Sequence, residues 1–316
     1  MDETKSPLRE SKCDKRSVTR SMVFDDDIDG WMSRKPKDET KKITEVVHGK
    51  SRIDRDSEVY DMNHKRRGVA IIFNHIHFKK LATRKNADKD SSELASALRN
   101  LGFEVRVYID PNLKTISSVL QTTSAEDHTD ADCLVIAAMS HGESGFLFSA
   151  DSVYSADSLW TPFTANRCPT LAGKPKLFFI QACRGTQTDS GVEIRQETDS
   201  ATAYTIPSFA DILVAYSTYD GFYSMRNSDT GSWFIQALCR ELNKNGKTHD
   251  LLRIMTSVIR HVAIDYQSYA PHAPNIHKKK QVPSIVSMLT RLVYFSKDEM
   301  DDALKTARRS RLSLDF

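Results

Sequence analysis

The sequence has 316 residues, a formal net charge of +3 at pH 7 and a hydrophobic content of 39%. A chain of this length can bury a sizeable core unaided, and its five cysteines form no Cys-x-x-Cys pair, so we expect a cytoplasmic protein with reduced thiols. Interleaved charges argue against nucleic-acid binding, and the lack of an apolar run of about 18 residues argues against membrane insertion.

The first 60 residues are predicted to be disordered. Their charge is mixed, their aromatic residues are few and they show no sustained periodicity, so they cannot bury enough apolar surface to offset the entropy of ordering. Within this head, Asp26, Asp27, Ile28 and Asp29 precede Gly30. By composition alone this is a solvated acidic run.

The middle of the chain alternates short β-branched and aromatic runs with stretches of helical periodicity. This alternation is typical of a parallel sheet with helices on both faces. We therefore predict a three-layer α/β fold with a central six-stranded, mostly parallel sheet flanked by helices. The predicted strands are 68–75, 104–110, 133–142, 175–185, 211–218 and 290–295.

Four stretches have the periodicity of helices. Asp90 or Ser91 precedes an apolar stripe and is typical of an N-cap, so the first helix is predicted to begin there. The other helices are predicted at 115–124, 231–244 and 250–266.

Two further segments are polar. Residues 185–204 are rich in Gly, Ser, Thr and Asp and lie between two predicted buried strands. A polar stretch of this length inside a compact domain is typical of a functional or cleavable loop. The final residues, 297–316, are charged with a weak helical stripe, which predicts a tail or a frayed helix.

Two residues that can carry chemistry follow predicted strands directly. His141 comes after CLVIAAMS and is followed by Gly142, and Cys183 comes after KLFFIQA. The carboxyl ends of parallel strands gather at one edge of a sheet, where a thiol beside an imidazole can act as a nucleophile and free backbone N–H groups can bind an oxyanion. Buried cysteines are mostly inert and strand-end histidines are often spacers, so residue type alone leaves both interpretations open.

The string around Cys183 is more specific. Gln181, Ala182, Cys183, Arg184 and Gly185 match the QACRG motif of caspases, in which the catalytic histidine lies upstream. Other matching strings are MNHKRRGVAIIFNHIHF from 62, SHGESG from 140, CPTLAGKPKLFFIQACRG from 168, RNSDTGSWFIQALC from 226 and QVPSIVSMLTRL from 281. The sequence resembles a short-prodomain effector (executioner) caspase of the insect type across 62–296. This resemblance implies a caspase-like fold and a cysteine endopeptidase that cleaves after aspartate to execute apoptosis.

The resemblance also implies roles for individual residues. Cys183 would be the nucleophile and His141 the proton-transfer group, oriented by the backbone carbonyl of Ala82. The N–H groups of Gly142 and Cys183 would form the oxyanion hole. The pocket for the substrate aspartate would consist of Arg84, Gln181 and Arg226, since two guanidiniums can grip one carboxylate. No metal and no cofactor are implied.

The subsites upstream of the scissile aspartate would be lined by five residues. They are Tyr223, Ser224, Met225, Asn227 and Trp233. Effector caspases usually have tryptophan where this chain has Met225, and an aromatic residue where it has Ile276. We expect a softer second subsite that accepts bulkier residues, and an acidic preference at the fourth subsite with Tyr269 as a wall.

The resemblance gives the polar segments a role in activation. The chain would be a zymogen cut after Asp199, with Asp189 as a weaker candidate, and cut again after Asp29. The expected parts are a pro-segment at 1–29, a large subunit at 30–199, a small subunit at 200–296 and the tail at 297–316.

The same resemblance implies partners. The substrates would be proteins with exposed Asp-containing loops, and an upstream initiator caspase would cut the linker. Large and small subunit pairs would form a homodimer through the last strand, and proteins of the inhibitor-of-apoptosis type are further candidate partners. No nucleic acid and no membrane are expected.

Two alternative functions remain at the level of sequence. A catalytically silent homologue could regulate other caspases, but it would not need the complete set of Cys183, His141 and the three pocket residues. A metacaspase would cleave after basic residues, and its pocket would require carboxylates where this chain has Arg84 and Arg226.

Overall fold

The computed structural model describes residues 56–189, 209–227 and 230–296. The predicted pro-segment 1–29, the predicted cleavage sites Asp29 and Asp199, and the predicted tail 297–316 lie outside these residues.

Short strands and four α-helices alternate along the described chain. In order they are β1 Val69–Asn74, α1 Ala87–Asn100, β2 Glu104–Ile109, α2 Leu113–Ala125, β3 Leu134–Met139, β4 Gly142–Glu143, β5 Phe146–Phe148, β6 Val153–Ser155, β7 Lys176–Gln181, β8 Ile212–Tyr216, β9 Arg226–Asn227, β10 Gly231–Ser232, α3 Trp233–Asn245, α4 Leu251–Asp265 and β11 Ser284–Ser287. Single 3₁₀ turns lie between β6 and β7.

Six of the strands form the central sheet. Their order is β11-β8-β7-β3-β1-β2, and all pairs are parallel except β11 with β8. Every residue of β1, β3 and β7 is buried, as expected for parallel strands covered on both faces. The predicted α/β fold with a mostly parallel six-stranded sheet is confirmed.

Successive side chains of the strands point into two separate cores. Ala70 and Ile72 belong to a core covered by α1, α3 and α4, whereas Val69, Ile71 and Phe73 belong to a core covered by α2 and the 3₁₀ turns. This alternation is the two-residue period of a β-strand, and since both faces are apolar the strand sequences read as continuous hydrophobic runs. The sheet is thus the middle of three layers.

The predicted position of the sixth strand is wrong. Residues 290–295 form no strand, and only Leu292 makes an isolated bridge, with Val59. Val293 and Phe295 are instead buried in the core that α1, α3 and α4 cover, and the Val293 carbonyl accepts a hydrogen bond from the Leu251 backbone. The sixth strand is β11, whose mixed sequence is half exposed.

The first helix begins earlier than predicted. Its N-cap is Asn86, which has a φ of 54°, and the helix begins at Ala87. Asp90 and Ser91 do not cap it because both are buried inside the fold and bind other elements. The bounds of the other three helices agree with the prediction to within two residues.

A buried polar cluster joins the start of the described chain to two later segments. Tyr60 Oη donates to Asp211 Oδ1 over 2.7 Å, and Thr290 Oγ1 donates to the same oxygen over 2.7 Å. The Thr290 backbone N–H donates in turn to Tyr60 Oη over 2.9 Å. Burial and the Asp211 charge raise the pKa of Tyr60, so its hydroxyl keeps the proton that makes this bond.

The register of the central strands aligns their carboxyl ends. Asn74 at the end of β1 pairs with Met139 at the end of β3, and Met139 pairs with Gln181 at the end of β7. The residues that follow these three positions therefore leave the sheet at one level. This edge of the sheet carries the candidate site.

Candidate active site

The structure brings the two candidate catalytic residues together. His141 and Cys183 each lie two residues beyond a paired strand end, and the Ser140 backbone N–H donates to the Gln181 carbonyl over 3.0 Å. Gly142 lies directly against Cys183, since a Cβ added to it would be 2.8 Å from the Cys183 carbonyl oxygen. Both side chains are partly exposed to solvent.

His141 is held by two contacts. Its Nε2 lies 2.8 Å from the Ala82 carbonyl oxygen, the contact expected from the sequence, and the Phe78 ring packs against the imidazole with centroids 4.8 Å apart. Because a carbonyl only accepts, Nε2 carries the proton and Nδ1 carries the lone pair. The other ring nitrogen is thereby left able to accept a proton.

Both groups are neutral in this environment. Burial lowers the pKa of His141, and the charges of Arg84 and Arg226 lower it further against the opposing Ala82 hydrogen bond. Burial raises the pKa of the Cys183 thiol, against the opposing effects of the Ser224 backbone and the two arginines. A neutral thiol beside a neutral imidazole can lose its proton as it attacks rather than beforehand.

Arg84 is anchored beneath the strand ends. Its side chain is only 4% exposed, and Nη1 donates to the carbonyls of His75 over 2.6 Å and Met139 over 3.1 Å. Burial lowers the pKa of Arg84 to about 10, with a further contribution from the positive charge of Arg226. The guanidinium therefore stays charged at neutral pH while facing a second cation.

Two polar atoms near this cation lack partners. Among the described residues, Arg226 Nη1 and Gln181 Oε1 are buried without a hydrogen bond. Gln181 Nε2 donates to Ser224 Oγ over 2.7 Å. Rotating the side-chain amide of Gln181 by half a turn would exchange the positions of its oxygen and nitrogen. The Ser224 hydroxyl would then donate to Oε1, and Nε2 would take the position of the atom that now has no partner. Two guanidiniums and an amide would then face one space that a carboxylate fits.

Cys183 is linked to this space by the backbone of Ser224. The Ser224 N–H lies 3.4 Å from Cys183 Sγ, and Cys183 is close enough to both arginines that its ionised form would raise their pKa. Cys183 and the cationic pocket therefore share one segment, 223–226. A carboxylate side chain bound in the pocket would bring its own backbone close to Sγ.

Asp90 is part of the site, although the sequence indicated only a helix cap. It is fully buried, and its Oδ1 accepts from the Ser232 N–H over 2.9 Å while Oδ2 accepts from the Ser232 hydroxyl over 2.5 Å. Ser232 pairs with Arg226 across the β9–β10 ladder. Asp90 therefore positions the ribbon that carries Arg226, and its charge partly offsets the lowering of that arginine's pKa by burial. The signal in the sequence was an acidic residue within the apolar stripe of a helix.

Met225 and Trp233, two of the predicted subsite residues, lie close together in the structure. Met225 N–H donates to Gln281 Oε1 over 2.5 Å, and Gln281 Nε2 donates to the Ser217 carbonyl over 2.6 Å. Trp233 is buried, and its N–H reaches the Met225 carbonyl over 3.4 Å. Gln281, which the sequence did not single out, thus fixes the backbone that carries Met225.

The outer subsite residues are more exposed. Asn227 Oδ1 accepts a hydrogen bond from the Thr230 N–H. Tyr223 is partly exposed and its N–H donates to the Gln187 carbonyl. Tyr269 is 85% exposed and packs edge-on against His277, while Ile276 lies nearby in the chain on the same loop.

The described part of the chain contains three further cysteines. Cys133, Cys168 and Cys239 are buried, and burial raises the pKa of each thiol. Within 56–189, 209–227 and 230–296, no cluster of three His, Cys, Asp or Glu side chains could hold a metal ion. In the same residues no helix has the length and apolar character needed to cross a membrane.

The geometry defines a class of protein, a cysteine hydrolase with a cationic pocket beside its nucleophile. A family model described as "Caspase domain" matches residues 67–294. The chain belongs to the caspase family, and the resemblance noted in the sequence is confirmed.

Relatives and a solved structure narrow the assignment of the chain within this family. The chain is 50% identical over 254 residues to "Caspase-1" of Spodoptera frugiperda, covering 78% of this chain and 84% of the relative. It is 46% identical over 257 residues to "Caspase drICE" of Drosophila melanogaster, covering 79% and 76%. The crystal structure of Spodoptera frugiperda Caspase-1 matches with a TM-score of 0.75 and 48% identity over 79% of this chain and 100% of that one. The chain is an aspartate-specific cysteine endopeptidase of the effector type that acts in apoptosis.

The first prediction concerns the space at Gly142. A Cβ in Gly142→Ala would lie 2.8 Å from the Cys183 carbonyl oxygen and 2.9 Å from that of Phe146, so the backbone at the nucleophile must shift. We expect kcat on an Asp-ending peptide to fall about 100-fold, the scale of losing an oxyanion donor. Ser144→Ala in the same hairpin is the control, because Ser144 is exposed to solvent. Equal kcat values in the two variants would contradict the close approach.

The second prediction concerns the anchor of Arg226. Asp90→Asn keeps the size of the side chain but replaces one acceptor of the two Ser232 hydrogen bonds by a donor. We expect KM for an Asp-ending peptide to rise about 10-fold, the scale of a buried hydrogen bond to a charged group, with kcat changed less than twofold.

Steady-state kinetics beside Asp88→Asn provide the test, because Asp88 is exposed on the same helix turn. A lowered KM in Asp90→Asn would mean that the charge of Asp90 opposes substrate binding more than its hydrogen bonds assist it. That result would refute the positioning role.

Proposed function

We propose that Cys183 is the nucleophile and His141 the proton-transfer group of this aspartate-specific peptidase, and that Arg84, Gln181 and Arg226 bind the substrate aspartate. The observation that supports this proposal is the pocket beside the Cys183 thiol. It contains two partly or fully buried guanidiniums of like charge. Among the described residues, one of them has a buried donor without a hydrogen-bond partner. Such a pocket is stabilised by a bound carboxylate and by little else.

The proposed chemistry follows from the protonation states. The thiol attacks the backbone carbonyl carbon of the substrate aspartate, an S–C bond forms, and the thiol proton passes to His141 Nδ1, since Nε2 is engaged with Ala82. The carbonyl oxygen becomes an oxyanion that would accept hydrogen bonds from the N–H groups of Gly142 and Cys183. The C–N bond then breaks, and the imidazolium returns its proton to the leaving amine. Water hydrolyses the thioester and restores the thiol.

Selectivity for aspartate follows from the cost of an unpaired charge. A substrate with asparagine would leave two guanidiniums facing a neutral amide in a partly buried space. Sites built to pair a polar group reject an analogue that lacks it by factors on the order of 10⁴. A pocket for a basic residue would need carboxylates in place of Arg84 and Arg226, so the metacaspase alternative is disfavoured.

The residues upstream of the aspartate would lie along 223–227. Asn227 and Tyr269 would contact the fourth residue, for which an acidic side chain is the expectation. Met225 and Ile276 would form the second subsite. Because both are flexible aliphatic side chains, this subsite would accept bulky or varied residues.

Activation by cleavage after Asp199, and after Asp29, is part of the proposal. We favour Asp199 over Asp189 as the main cleavage site because the backbone around Asp189 is held in place. The Asp189 carbonyl accepts a hydrogen bond from the Lys280 N–H over 3.1 Å, and Gln187 forms a β-bridge with Phe222. A bond held in this way is poorly placed to enter another active site. These cuts would divide the chain into the pro-segment 1–29, the large subunit 30–199 and a third piece that carries the small subunit 200–296 and the tail 297–316.

A homodimer would form along β11. This strand is the end of the sheet next to β8, and its Val286 side chain is half exposed. An exposed edge strand is a template for pairing with a second copy. The proposed substrates are proteins with exposed Asp-containing loops in the cytoplasm, and an initiator caspase and proteins of the inhibitor-of-apoptosis type are the proposed regulators.

The third prediction separates the enzyme from a silent homologue. Cys183→Ala should abolish turnover of an acidic tetrapeptide ending in Asp, and it should leave the purified chain uncut where the wild type shows fragments ending at Asp199 and Asp29. Intact mass and peptide turnover measure both effects. Cys239→Ala is the control, since this buried cysteine packs within α3. If wild type and Cys183→Ala are both purified uncut, and both stay inactive once they are deliberately cleaved at 199, the catalytic assignment fails.

The fourth prediction concerns pH. Proton transfer needs neutral His141, and burial lowers the pKa of this imidazole from its ordinary value of 6.5. The group is therefore protonated and inactive only at pH below its lowered pKa. We expect the acid limb of the kcat/KM profile of the cleaved enzyme to have its midpoint below 6.5, while the substrate aspartate titrates separately near about 3.9. A midpoint at or above 6.5 would show that the imidazole does not react from the neutral state.

A further inference from the structure

A second pocket borders the catalytic histidine. Its volume is about 410 Å³, and it lies between the loop after β1 and the hairpin of β5 and β6. The loop contributes Phe78, Lys79, Lys80 and Leu81, and the hairpin contributes residues that include Phe148 and Val153. None of the residues assigned to the aspartate pocket lines it.

Both walls of this pocket are attached to His141. The Phe78 ring packs on the imidazole at 4.8 Å, and the Phe148 N–H donates to the His141 carbonyl over 3.1 Å. The walls are also joined to each other, because the Lys79 N–H donates to the Ala150 carbonyl over 3.1 Å. The pocket is therefore continuous with the catalytic centre.

The order of the strands tells on which side of the scissile bond the pocket lies. Along the sheet edge, the segment 223–227 follows β8, Cys183 follows β7, His141 follows β3 and the pocket loop follows β1. A peptide that lies on 223–227 and presents its aspartate carbonyl to Cys183 must continue across His141. The next structure on its way is the pocket.

We infer that this pocket binds the substrate residues that follow the scissile bond. The inference rests on the proposed assignment of Cys183 and His141. Because an extended chain advances about 3.3 Å per residue, the occupant is the side chain of the second or third residue after the aspartate. The pocket is thus a specificity determinant on the leaving side of the substrate.

The lining defines the chemistry of the occupant. Leu81, Phe148 and Val153 offer an apolar surface, with Leu81 and Val153 exposed to solvent. Lys79 and Lys80 are exposed at the rim. The only carboxylate in the lining is Asp151, which accepts hydrogen bonds from the Leu113 N–H and the Ser149 hydroxyl and lies within the field of Lys79.

The rim therefore carries one positive charge in excess. Hydrogen bonds from the Leu113 backbone and the Ser149 side chain lower the Asp151 pKa, and the charge of Lys79 lowers it further, so Asp151 and Lys79 partly offset each other. We expect an apolar residue in the pocket with an acidic neighbour at the lysine rim.

The test compares quenched fluorescent peptides that share one upstream tetrapeptide ending in Asp, followed by Gly-Leu-Glu, Gly-Leu-Lys or Gly-Ser-Ser. A fourth substrate has the same tetrapeptide and a fluorogenic leaving group, with no residue after the scissile bond. The readout is kcat/KM of each extended peptide divided by that of the short one in the same enzyme. A general loss of activity cancels from this ratio.

We expect the wild-type ratio for Gly-Leu-Glu to exceed that for Gly-Ser-Ser about 10-fold. Lys79→Glu with Lys80→Glu should remove the advantage of Gly-Leu-Glu over Gly-Leu-Lys or reverse it. Lys247→Glu is the matched control, because Lys247 is an exposed lysine after α3 and does not line the pocket. This control should keep the wild-type order.

The outcomes separate the two proposals. If the cleaved wild type hydrolyses the short substrate but gives equal ratios for all three extended peptides, the pocket does not bind the leaving side and the inference is overturned. The same holds if the charge reversal leaves the order unchanged. If the short substrate itself is not hydrolysed, the catalytic assignment fails instead.

Discussion

The site depends on the register of three parallel strands. Because Asn74, Met139 and Gln181 stand level across β1, β3 and β7, the chain leaves the sheet three times at one edge. His141, Cys183 and the loop that supplies the Ala82 carbonyl all emerge there. A slip of one residue in β7 would move Cys183 to the opposite face of the sheet. The buried apolar side chains on both faces of these strands prevent that slip, so core packing fixes the catalytic geometry.

The cationic pocket is held in place by carbonyl oxygens and one carboxylate. Two like charges in a partly buried space repel each other, and each is stabilised from behind: Arg84 by the carbonyls of His75 and Met139, and Arg226 through the ribbon that Asp90 anchors. This support leaves the front of the pocket positive. The same positive field lowers the pKa of His141 and opposes the effect of burial on Cys183. With the proposed roles of these residues, substrate selectivity and the protonation of Cys183 and His141 would have a common electrostatic origin.

The sequence predicted local features better than long-range ones. Four of the five parallel strands were found because burial on both faces produces continuous apolar runs, whereas the exposed β2 was found from its β-branched and aromatic residues. The QACRG string gave the site its chemistry. The strand at 290–295 was misplaced because its alternating apolar residues pack against helices, a pattern that period alone does not distinguish from a strand. Asp90 was taken for a cap because its partner Ser232 lies 142 positions away. Gln281 gave no signal, since its role depends on backbone groups of Met225 and Ser217 that only the fold brings near.

The cluster of Tyr60, Asp211 and Thr290 has a consequence for the stability of the enzyme after cleavage of the linker. A cut at Asp199 would separate β7 from β8, which are neighbours in the sheet, so the fragments would be joined by a strand ladder and by this buried cluster rather than by the peptide chain. Each fragment would lose the high effective concentration that the linker provides. Unfolding of the cut enzyme would then become a dissociation as well, and dilution alone would lower its resistance to heat. The activated protease would carry a stability that depends on how much of it is present.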